Sequence, residues 1–65
     1  MKLKFGDKVR FLIPFFENWT GFIVDYSFSS KENVYFVIVF ISDRRGKILH
    51  ERLLAFVEDQ LEKIE

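Results

Sequence analysis

Few residues in this chain have a type and spacing that could do chemistry. His50 stands beside Glu51, the pairing of a general base with the carboxylate that orients it. Neighbours on an extended strand point to opposite faces, so the pair does not converge. There is no Cys and no glycine-rich phosphate loop, and no two carboxylates are spaced so that secondary structure alone brings them together. One His without a second His or a Cys also falls short of a metal-ligand set. The expectation is a non-enzymatic protein with no cofactor and no metal site.

The remaining chemistry is that of a surface. Trp19, Tyr35, Arg44, Arg45 and Lys47 form a candidate partner-binding set, because Trp, Tyr and Arg dominate interface hot spots and a tight turn holds two guanidinium groups at low entropic cost. Such a set suits a protein partner with an acidic docking face. Lys8, Arg10, Tyr26 and Arg52, joined to the same basic turn and Trp19, form an alternative nucleic-acid set in which the aromatics stack on bases. Ten basic side chains balance ten acidic ones, and this neutrality weighs against a general nucleic-acid binder, whose affinity comes from neutralising phosphates. The signs are nevertheless segregated. Lys2, Lys4, Lys8 and Arg10 gather near the start, Arg44, Arg45, Lys47 and Arg52 at the turn, and Glu58, Asp59, Glu62 and Glu65 at the end.

Elements with a period of two must position these groups. Val9, Phe11 and Ile13 alternate with Lys8, Arg10 and Leu12 until Pro14 ends the strand. The loop 15–20 is aromatic; Phe15 and Phe16 are expected to fold back and plug the barrel, with Trp19 partly exposed. Gly21 restarts extended structure through Phe28, and residues 29–33 form a polar turn. The strand 34–41 is apolar on both faces, so something covers its second face or it bends between two sheets. A homodimer through that strand is a third reading of the function. Asp43-Arg44-Arg45-Gly46 has the chemistry of a type I turn closed by a left-handed glycine. The predicted core is Val9, Phe11, Phe22, Val24, Phe36, Ile38, Phe40, Leu53 and Leu61.

From 50 to 64, Leu53, Leu54, Val57, Leu61 and Ile64 also fit a helical stripe, which makes a four-stranded sheet with a C-terminal helix the rival architecture. No Ser, Thr, Asp or Asn stands just before His50 to cap a helix, so strand, short 3₁₀ turn at 58–60 and final strand is preferred. A chain of 65 residues reads as one all-β domain, 1–65, whose dense core comes from an apolar content of 49% that includes nine Phe. Lys2 and Lys4 are followed by Phe5-Gly6-Asp7 rather than an apolar signal segment, and no apolar run approaches the ~20 residues of a membrane span. The expectation is a cytoplasmic protein, and the sequon Asn18-Trp19-Thr20 is read as chance.

Gly6-Asp7-Lys8-Val9-Arg10-Phe11, Trp19-Thr20-Gly21-Phe22-Ile23-Val24, the strand 35–40 and Phe56-Val57-Glu58-Asp59-Gln60-Leu61 cover most of the chain. In this order they resemble the small SH3-like E-type protein of photosystem I and the related SH3-like accessory subunits of ferredoxin-thioredoxin reductase, the cytochrome b6f complex and the photosynthetic NDH complex. The opening third also resembles a KOW element. The resemblance implies a five-stranded SH3-like barrel, an accessory module docking on a larger assembly and, if it extends to photosynthesis, a place in the plastid stroma. Phe15-Phe16-Glu17-Asn18 is less polar than the matching loop of the photosystem protein, and 43–53 does not reproduce its long third loop.

Overall fold

The computed structural model describes residues 3–29 and 31–64. Lys2 of the first basic cluster, Ser30 of the polar turn and Glu65 of the acidic end lie outside them. The described chain is all-β: β1 (Lys8–Phe11), β2 (Thr20–Phe28), β3 (Asn33–Ser42), β4 (Ile48–Val57), a 3₁₀ turn (Glu58–Gln60) and β5 (Leu61–Lys63). They form one antiparallel sheet in the order β4-β3-β2-β1-β5. The sheet is not closed, an arrangement compatible with a small SH3-like fold. The rival C-terminal helix is overturned, because 48–57 instead forms the hairpin partner of β3. No helix among the described residues is long and apolar enough to cross a membrane.

Each connection has a local cause. The β3–β4 turn closes through Gly46 N–H donating to the Asp43 carbonyl at 3.1 Å and Asp43 N–H donating to the Lys47 carbonyl at 2.9 Å. Gly46 takes the expected left-handed backbone, with φ of 86°. Val57 N–H donates to the Gln60 side-chain oxygen at 3.0 Å, which clamps the 3₁₀ turn and redirects the chain from β4 into β5. β5 then pairs with β1, Phe11 lying opposite Leu61.

The core is Leu3, Val9, Phe11, Ile23, Tyr35, Val37, Val39, Phe56 and Leu61. This corrects the predicted list at Phe22, Val24, Phe36, Ile38, Phe40 and Leu53. Directly paired residues share a sheet face, and Val9 lies opposite Gly21, which places Gly21, Ile23, Val37 and Val39 inside. Phe22, Ile38 and Leu53 line up on the other face, where Leu53 is 62% exposed. A register shift at Val24 then moves Tyr26, opposite Tyr35, to the inner side. The physical reason is room. Inside, β2 and β3 approach so closely that a Cβ on Gly21 would lie 2.5 Å from the Ile38 carbonyl oxygen. Around this approach the smaller β-branched Ile23, Val37 and Val39 therefore face in, while Phe22, Phe36 and Phe40 face out.

Candidate functional site

The loop between β1 and β2 builds one wall of the candidate site. Phe16 packs edge-on against Phe11, Trp19 and Phe56, with ring centroids 5.8, 5.0 and 5.9 Å away. It folds back against the core, as expected. Phe15 does not: it is 89% exposed, with φ of 73°, directly after Pro14. Phe16 N–H donates to the Ile13 carbonyl at 3.3 Å, so Ile13-Pro14-Phe15-Phe16 is a type II-like turn with Phe15 where glycine is usual. This geometry sends Phe15 outward while Phe16 packs inward. Trp19, held by N–H donation to the Phe16 carbonyl at 3.0 Å, is half-buried against Phe16.

The β3–β4 turn builds the other wall. One Asp43 carboxylate oxygen accepts from the backbone N–H of Arg45 at 2.9 Å and of Lys47 at 3.0 Å, which makes the tip rigid without using its cationic side chains. Arg44, Arg45 and Lys47 are exposed. Asn18, Trp19, Ser42, Asp43, Arg44 and Gly46 together line an open groove of about 420 Å³. Trp19 and Arg44, far apart in the chain, thus share one surface. Asn18 and Asp43 were not among the residues expected there; the acceptor geometry of an Asx-type turn was the signal for Asp43.

Tyr35 is the correction within the partner-binding set. It is fully buried, opposite Phe56 and 6.2 Å from the Phe28 ring, because its strand turns odd-numbered residues inward. Burial pushes its phenol above the ordinary value of 10.0, and the nearby Glu58 and Tyr26 add to the shift. It supports the surface from within and cannot touch a partner.

The alternative nucleic-acid residues Lys8, Arg10, Tyr26 and Arg52 do not all share one face. Lys8 and Arg10 pair with Phe22 and Thr20 on the outer face, whereas Arg52 lies opposite Val39 and Tyr26 opposite Tyr35 on the inner one. Arg10 is also ion-paired to Glu62. Phe28 stacks on Tyr26 at 4.7 Å and covers one face of the ring offered to bases. His50 lies opposite Ile41 on the inner side and Glu51 opposite Phe40 on the outer one, so these two diverge as strand geometry requires. Among the described residues no three His, Cys, Asp or Glu side chains gather in a way that could hold a metal ion.

A larger depression, about 600 Å³, lies elsewhere, lined by Leu3, Leu12 and Leu61 and rimmed by Glu58, Asp59, Glu62 and Lys63. Its rim is predominantly acidic, opposite in sign to the hairpin tip. Compared with protein-family models, curated proteins and solved structures, the chain matches none.

Proposed function

We propose that this chain is a non-enzymatic binding module that docks on a protein partner, or a larger complex, through the groove between the Trp19 loop and the Arg44-Arg45 tip. The observation that carries this reading is the shared groove itself. A half-buried aromatic anchor sits beside a rigid cationic tip, the combination that dominates interface energetics. Arg44, Arg45 and Lys47 steer an acidic docking face toward the site, and Trp19 anchors it. The exposed Phe15, on the same loop as Trp19, adds apolar area. The resemblance to accessory subunits of electron-transport complexes points to the same kind of role, with small acidic carriers or acidic protein surfaces as partners.

The test is a quantitative pull-down from native lysate with wild type, Trp19→Ala and Arg44→Glu/Arg45→Glu, each checked for an intact fold by circular dichroism. Loss of the same partners from both variants is expected. Retention of every partner by both would overturn the reading. A homodimer through 34–41 would have to pack face to face, since β3 is already paired on both edges by β2 and β4.

A further inference from the structure

The open sheet has two edges of very different character. β5 is three residues long and carries Glu62 and Lys63, the short, charged form that natural sheets use to discourage pairing. β4 is ten residues long, about 33 Å at ~3.3 Å per residue, and among the described residues pairs only with β3. It contains no Pro and no Lys, and its one irregularity lies at the Ile48 end. Ile48, Leu49 and Leu53 along it are all more than half exposed. Such an edge presents a row of backbone donors and acceptors to any extended chain.

What it fits is decided by charge. The chain enters β4 from the cationic tip Arg44-Arg45-Gly46-Lys47 and leaves it into Glu58-Asp59 on the rim of the acidic depression. The two ends of one strand therefore carry opposite signs. A second copy laid antiparallel along β4 places each cationic tip at the Glu58-Asp59 end of the other copy's β4, twice over by the two-fold symmetry. A parallel arrangement would set like charges together. We propose that β4 is a self-association edge: two copies of this chain join their β4 strands antiparallel into a continuous ten-stranded sheet, locked at both ends by charge pairs between the Arg44-Arg45 tip of one copy and Glu58-Asp59 of the other. The proposal shares the Arg44-Arg45 tip with the groove reading but not Trp19, which takes no part in it.

The experiment is sedimentation equilibrium at low ionic strength on wild type, on Arg44→Glu/Arg45→Glu and on Glu58→Lys/Asp59→Lys. Wild type should reach twice its 7.9 kDa monomer mass in the micromolar to millimolar range. Each variant alone sets like charges against each other at both ends and should self-associate about tenfold more weakly or worse. An equimolar mixture of the two variants should dimerise again, since a reversed tip then meets a reversed 58–59 pair and the native groups meet at the other end. Added salt should weaken the wild-type dimer as the Debye length falls from about 10 Å at 0.1 M to about 3 Å at 1 M. A wild type that stays monomeric across this range, or a mixture that does not recover, overturns the proposal. Trp19→Ala separates the two readings, since it should lose the partner and keep the dimer.

Discussion

Replacing Gly21 with Ala should destabilise the fold by about 2 kcal/mol net, and the figure follows from what the new methyl group meets. A Cβ at Gly21 would lie 2.5 Å from the Ile38 carbonyl oxygen, 2.7 Å from Val37 Cγ1 and 3.3 Å from the Ile38 carbonyl carbon. The Val37 methyl can yield by rotation. The carbonyl cannot, because β3 is held on both sides by β2 and β4. The strands must part, which puts the strain at the upper end of the ~1–3 kcal/mol usual for overpacking. Against this, Ala in a strand recovers roughly 0.5–1 kcal/mol of the entropy that Gly loses on folding. The net is about a thirtyfold shift toward the unfolded state at ~1.4 kcal/mol per tenfold. A domain of 65 residues holds about 3–10 kcal/mol in total, so the loss is large. Urea denaturation followed by far-ultraviolet circular dichroism measures it. Gly21→Asn should be worse still, whereas Gly46→Asn should be nearly neutral, because a Cβ there meets nothing within 4 Å and Asn tolerates the left-handed backbone. A Gly21→Ala protein with the wild-type midpoint and slope would refute the inward-facing assignment of β2.

Phe11→Ala should cost about 3–5 kcal/mol and leave the domain largely unfolded, while Phe36→Ala, on the outer face, should cost clearly less; equal losses in urea titration would mean that the core faces the other way. Phe15→Gly should stabilise by up to about 1 kcal/mol, since it relieves a left-handed non-glycine residue that buries almost nothing, while weakening partner capture in the pull-down; a lower melting temperature would contradict the turn geometry. For Tyr35 the raised folded value sets the sign. The unfolded phenol loses its proton first as pH rises past about 10, so stability is fully present below that pH and declines as pH climbs toward the folded value. Tyr35→Phe should flatten this alkaline decline in denaturation midpoints measured between about pH 9 and pH 11; an unchanged slope would count against desolvation of the phenol.

The order and nature of the elements were readable from local chemistry. Pro14 stops β1, and Gly46 after Asp43 makes the hairpin turn, in each case through a backbone property that needs no tertiary context. The missing cap before His50 only favoured strand over the helical rival for the last third, and the assembled sheet decided it as strand, 3₁₀ turn and strand. Arg44, Arg45 and Lys47 were legible as a displayed tip for the same reason: a tight turn exposes what it does not need for its own hydrogen bonds.

Which way the strands face was a different matter. From 34 to 41 every residue is apolar, so a period of two carries no contrast, and size alone suggested that the aromatics were inside. The assembled sheet decided otherwise. Val9 and Phe11 of β1 fix the inner side, Gly21 admits the close approach of β3 there, and the space left suits Ile23, Val37 and Val39 better than Phe22, Phe36 and Phe40. The same choice withdrew Tyr35 from the surface and split the cationic set 8, 10 and 52 between two faces. Only the tertiary structure could bring Trp19 to Arg44, because their meeting depends on how far β2 and β3 run before the hairpin turns. Local sequence dictates where a chain extends and where it turns; which side of an evenly apolar strand is buried depends on the shape of the space its neighbours leave.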